Sequence, residues 1–107
     1  MVTLNEFLSL DIRIGRIVEV NEIETRKPMY GLKVDLRELG IKSIVAGIKD
    51  RYTREQLLDK KVVVVANLEP KSIAGFISEG MVLAAEDDNN LALLQPDNDI
   101  LQGTKVR

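Results

Sequence analysis

Leu32, Val34 and Leu36 alternate with Lys33, Asp35 and Arg37, a period of two that puts one face of a strand in a core and the other in water. A less regular alternation predicts a strand over Ile12 to Val20, with a bulge at Gly15-Arg16, where the apolar phase changes. Gly40 turns the chain into a third strand, Ile41 to Ile48. Val62 to Ala66 is the next, then Met81 to Ala85, which Leu91 to Leu94 faces across the turn Asp87 to Asn90; Leu101 to Val106 predicts an edge strand. Two short helices are marked by capping boxes. Thr3-Leu4-Asn5-Glu6, with the stripe Leu4, Phe7 and Leu8, is expected to pack on the body, and Thr53 to Leu58 carries the equivalent Thr53 and Gln56 pair.

Several short strands with one small helix between the third and fourth suggest an all-β fold: a five-stranded Greek-key barrel of the OB type, with a short N-terminal helix and added terminal strands. A small antiparallel sandwich is the alternative. The 107 residues suffice for one domain. Val62 to Val65 and Met81 to Ala85 are apolar at successive positions, whereas a strand with one wet face shows a polar residue at every second one. Their outer faces therefore need a cover, either the chain's own ends or a second copy in a homodimer.

Charge changes the picture more than composition does. The net charge is -2, which by itself speaks against a polyanionic partner. Its distribution does the opposite: residues 1–24 carry two basic and five acidic groups, residues 25–71 eleven and six, and residues 72–107 two and six. A basic middle between acidic ends permits one positive face. Cysteine and histidine are absent, which removes disulfides, Cys/His metal sites, thiol nucleophiles and the side chain that titrates near neutrality. No catalytic motif and no cofactor site is expected. Asp87-Asp88, beside Asn89-Asn90, reads as a solvated hairpin tip. No apolar run approaches the roughly 18 residues of a membrane span, and without a visible signal peptide the expected address is the cytoplasm.

The most distinctive segment runs from Asn67 to Leu83, a polar loop punctuated by Pro70, Gly75 and Gly80 between two strand-like runs. Ala46-Gly47-Ile48, Asn67-Leu68 with Pro70-Lys71, and Ser78-Glu79-Gly80-Met81 together resemble the tRNA-binding domain family, found at the carboxyl end or as the small subunit of archaeal-type methionyl-tRNA synthetases. The similarity extends from Asp11-Ile12-Arg13 to the carboxyl end. Arg26-Lys27-Pro28 with Tyr30, Arg51-Tyr52, Ile73-Ala74-Gly75-Phe76 and Leu94-Gln95-Pro96-Asp97 are similar instead to the CsaA-like chaperone branch, which has aliphatic residues where this chain has Gly80-Met81. The synthetase pattern itself has Asp-Lys-Leu where this chain has Lys27-Pro28-Met29, and a basic residue where it has Ala74.

The resemblance implies an OB fold, a homodimer and tRNA binding with little sequence preference, working with a synthetase catalytic domain in cis or in trans. An OB fold binds nucleic acid across its second and third strands and the loops beside them. Arg26, Lys27, Lys33, Lys42, Lys49 and Arg51 fall there. Asn67, Lys71, Ser78 and Met81 join them through the family motif. Read without the resemblance, Asn67 hydrogen-bonds its own turn, Ser78 caps backbone donors in its loop, and Met81 packs in the core. With aromatic residues only 4% of the chain, backbone and shape should outweigh base readout. The rival function is a homodimeric chaperone that binds unfolded polypeptide in apolar grooves near Met29, Phe76 and Ile77.

Overall fold

The computed structural model describes residues 1–24 and 26–107. Its hub is β1 (Ile12–Ile23), long enough to serve two neighbours. Ile12 to Arg16 pair with β4 (Lys61–Val65), and Arg16 to Ile23 pair with β2 (Met29–Asp35). With β3 (Ile41–Ala46) on one side and β7 (Met81–Val82) on the other, the antiparallel sheet has the order β3-β2-β1-β4-β7. It curls until its two edge strands approach each other, an OB-like barrel, as expected.

The alternation of β2 survives folding intact. Tyr30, Leu32 and Val34 are buried, with Gly31, Lys33 and Asp35 between them half-exposed. Inside the curl, Ile17, Val20, Leu32, Val34, Leu36, Ile44, Val62 and Val64 are almost wholly excluded from solvent. Gly15 is part of this interior. A Cβ there would stand 2.4 Å from Val34 Cγ1 and 3.1 Å from Val64 Cγ2, so the glycine serves close packing. The irregularity expected at Gly15-Arg16 lies instead between Ile17 and Glu19, where the β1–β2 register shifts.

Helix α2 (Arg54–Leu57) forms between β3 and β4, with both halves of the Thr53–Gln56 capping box made. Its Leu57 is completely buried in the core. Helix α1 (Leu4–Leu8) also has its capping box, yet buries none of its residues. The expectation that α1 packs on the body is thus corrected: Leu4 and Leu8 are 71% and 49% exposed.

Three further differences concern the second half. Within the signature loop lies a hairpin that the apolar pattern did not announce, β5 (Lys71–Ile73) with β6 (Phe76–Ser78). The strand expected over Met81 to Ala85 divides at Leu83 into β7 and β8 (Ala84–Glu86), the latter pairing with β9 (Leu91–Leu93). Leu83 is the joint, its N–H bonding to Val63 while its carbonyl receives the N–H of Leu94. At the β8–β9 tip, Asp87 accepts the N–H groups of Asn89 and Asn90, which holds its carboxyl below the ordinary range. Finally, Leu101 to Val106 is no regular strand. Gly103, with φ of 87°, bends it, although Gly103, Thr104 and Val106 still exchange backbone bonds with Ile12 and Ile14 of β1. Among the described residues no helix is long and apolar enough to cross a membrane.

Candidate nucleic-acid interface

On the outer face of the curled sheet a groove of about 330 Å³ opens between the strands and the β5–β6 hairpin. Strand parity supplies its floor: Gly31 and Lys33 of β2 lie opposite Val45 and Ser43 of β3. Asn21, Glu22 and Ile23 of β1 continue it, and Phe76 and Ile77 form the wall. Lys33 Nζ donates to Ser43 Oγ at 2.6 Å, which fixes the ammonium on the floor. Phe76 and Ile77 remain 50% and 56% exposed. Their hairpin turns through Ala74 and Gly75, both at positive φ (52° and 83°), the geometry of a two-residue type I′ loop. Ala74 pays a steric cost there that glycine would not. The β1–β2 loop, with exposed Arg26 and Lys27, borders the end of the groove at the last ladder pair, Ile23 with Met29. Lys71 stands exposed at the base of the hairpin.

The signature residues Ser78, Glu79 and Gly80 prove to be the device that closes the barrel. Ser78 is 4% exposed; its Oγ accepts the Val45 N–H at 3.0 Å and donates to the Gly80 carbonyl at 3.2 Å. One residue on, the Glu79 N–H bonds to the Ser43 carbonyl at 2.8 Å, and the Glu79 carboxylate accepts the Ser43 N–H at 2.9 Å. Alternate N–H groups of β3 are therefore satisfied by side chains where a sheet ladder would use carbonyls. Gly80 permits this approach, because a Cβ would come within 2.7 Å of the Val65 carbonyl oxygen.

Ser78, expected in the RNA contact set, is thus buried with its hydroxyl bonded inside the chain, where it serves closure of the barrel. Asn67 is likewise occupied, its Oδ1 accepting the Asp11 N–H and its Nδ2 donating to the Ser9 carbonyl, both at 2.8 Å. It ties the start of β1 to the end of β4. Met81 is 47% exposed on β7.

The remaining cations do not share one surface. Lys42, opposite Val34, has the core-side parity of Ile44 and Ala46. It lies within electrostatic reach of Asp11, whose carboxyl is held below its ordinary value by its hydrogen bond from Arg13, with the charges of Arg13, Lys105 and Lys42 adding to the effect. Lys49 and Arg51 line a separate depression in which Arg54 joins them but Glu22, Asp50 and Glu55 oppose them. Lys49 pairs with Glu22 at 3.7 Å, and Arg51 with Glu86 at 3.3 Å and Asp50 at 3.8 Å. That surface is electrically balanced, and Lys42, Lys49 and Arg51, expected in the RNA contact set, do not line the groove. Burial, and then the nearby charges of Glu22 and Glu55, raise the Tyr30 phenol above its usual value, and its hydroxyl donates to the Tyr52 carbonyl at 2.9 Å.

What the structure brings together is Lys33, with Arg26 and Lys27 at one end and Phe76 as a wall. Asn21 and Ser43 were missed in the sequence. Their signal is outward parity beside Lys33, legible only once strand pairing is known. Among the described residues no group of carboxylates has the arrangement of a metal site.

These features match known proteins along almost the whole chain. The family model of the putative tRNA binding domain matches residues 12–105. A methionine–tRNA ligase of Pyrococcus horikoshii is 46% identical over 106 residues, which are 99% of this chain and 14% of that protein; the chain thus spans about one seventh of such relatives. Among solved structures, the CsaA chaperone protein of Picrophilus torridus superposes with a TM-score of 0.92 at 40% identity, covering 100% of both chains. A MetRS-related protein of P. horikoshii gives 0.91 at 29% identity, covering 100% of this chain and 98% of that one. Sequence motifs, barrel and comparisons agree, and the chain belongs to the tRNA-binding domain family.

Proposed function

We propose that this chain is a tRNA-binding module that serves a methionine–tRNA ligase in cis or in trans, contributing binding and no chemistry. The observation that carries the reading is the 46% identity to a segment making up 14% of such a ligase, joined to a groove whose floor and end carry Lys33, Arg26 and Lys27. Lys71 and Met81 flank the same hairpin and complete the proposed contact set. Held through its phosphates, a tRNA gains effective concentration at a distant catalytic site without any base being read. Such a role has a cytoplasmic address.

Filter binding of mixed tRNA at several salt concentrations tests the proposal. Affinity is expected to fall steeply as salt rises, and replacing Arg26, Lys27 and Lys33 together by glutamine should make the log–log salt slope shallower by about 3. An unchanged slope would remove these residues from the phosphate path.

Pairing of two copies belongs to the same reading. It is supported by the apolar side chains left open on α1: Leu4, Phe7 and Leu8 are between 38% and 71% exposed, more than a lone small domain needs. Sedimentation at micromolar concentration is expected to return twice the 12.0 kDa chain mass; a single-chain mass contradicts the pairing. A second function, capture of unfolded polypeptide, is favoured by the full-length match to the CsaA chaperone and the open Phe76 and Ile77. Competition separates the two, since unfolded peptide that fails to displace bound tRNA speaks for the RNA module.

A further inference from the structure

We infer that the groove beside the β5–β6 hairpin takes one unstacked base from an unpaired stretch of RNA, laid against Phe76, with the adjoining backbone on Lys33. The inference rests on the tRNA-binding reading and specifies which kind of RNA element this surface accepts. Phe76 is the aromatic side chain that lines the groove, and it is half exposed. A tight two-residue turn and the register of Ile73 opposite Phe76 hold it in place. Facing it, the floor includes Gly31, over which the side chain of Ile23 packs and gives the floor an apolar surface. A Cβ at Gly31 would already press on Ile23 Cδ1 at 3.3 Å.

The lining holds one ammonium, Lys33, and one carboxylate, Glu22, the latter paired with Lys49 at 3.7 Å. An ammonium has three protons, and the bond to Ser43 Oγ uses one, leaving two for phosphate or base acceptors. Arg26 and Lys27 are exposed in the loop that follows Ile23, at the end of the groove. A double helix meets this surface poorly, because stacked bases present only their edges and an A-form major groove is too deep and narrow to be entered. An unpaired base has a free face, and stacking on an aromatic side chain is tolerant of base identity. One such wall accommodates one base, which is consistent with a module that holds RNA mainly by its backbone.

Fluorescence titration of the 107-residue chain with a short unpaired oligoribonucleotide carrying a fluorescent purine analogue, with the same oligonucleotide in a blunt duplex, and with mixed tRNA tests the inference. The unpaired form is expected to bind more tightly than the duplex and to change the analogue's emission. Phe76→Ala should weaken single-strand binding roughly 5- to 140-fold and leave the salt slope unchanged, since that slope counts phosphates; Phe76→Tyr should restore the affinity. Phe76 is exposed, so the fold of both variants is expected to persist, and thermal unfolding checks this. If single strand and duplex bind alike, or Phe76→Ala alters neither, the inference fails while tRNA binding stands. If unfolded polypeptide occupies the groove and no RNA does, both readings fall.

Discussion

Replacing Gly80 with alanine is expected to destabilise the domain by about 1–3 kcal/mol, the usual cost of overpacking, or more if the barrel opens. The added Cβ would lie 2.7 Å from the Val65 carbonyl oxygen, an atom of the backbone that cannot swing aside as a side-chain tip can. Relief requires β7 to move off β4, and such a movement pulls on Ser78 and Glu79, which hold the opposite edge strand. Each N–H of β3 thereby released inside the protein costs a further ~1–3 kcal/mol. Ser78→Ala probes the clasp without the clash, removing the acceptor for Val45 N–H. Gly47→Ala is the control: no atom lies within 4 Å of its built Cβ, and its effect should stay within about 0.5 kcal/mol. Thermal unfolding reads the difference, at about 4–8 °C per kcal/mol for domains near this size. Equal midpoints for Gly80→Ala and Gly47→Ala would show that the clasp contributes nothing.

Leu57→Ala should cost about 2–5 kcal/mol, a large share of the 5–15 kcal/mol that a domain typically has. Leu57 is the buried residue of α2 and has no exposed surface. A four-residue helix cannot persist by propensity, so its position depends on the capping box at one end and this side chain in the core. Truncation leaves a cavity that neither the flanking β-strands nor so short a helix can collapse to fill. The neighbouring Leu58, 37% exposed, provides the comparison; its replacement by alanine should cost far less. Denaturant midpoints measured on both variants decide the matter, and similar losses would mean that α2 is not anchored through Leu57.

The Gly80 result bears on how a family motif is read. Ser78-Glu79-Gly80-Met81 is the most specific pattern in the chain, and its place in a polar loop invites a ligand-binding interpretation. Folding gives Ser78, Glu79 and Gly80 to closure of the barrel. The proposed RNA contacts are neighbours with weaker sequence signals: Phe76 on the hairpin wall, Lys33 on the floor, Arg26 and Lys27 at the end. A motif that recurs because a sheet must close looks, along the chain, the same as one that recurs because a ligand must bind.

What could be known from residue order was whatever depends on near neighbours. Alternation along β2, the capping boxes at Thr3 and Thr53, the polar turn at Asp87 and the motifs that assign the family all act over a few residues, and each appears where expected. Packing decided the rest, because it joins residues that the chain keeps far apart: Ser78 meets Val45 across 33 positions and Asn67 meets Asp11 across 56. Parity told that Lys33 faces outward, but not that Ser43 and Phe76 would meet it there. Nor did charge counting reveal that Lys49 and Arg51 face Glu22, Asp50 and Glu86, or the capping box that α1 would leave Leu4 71% exposed. Local patterning selects strand or helix, whereas the direction and company of each side chain are set by register and barrel closure, which exist only in the folded chain.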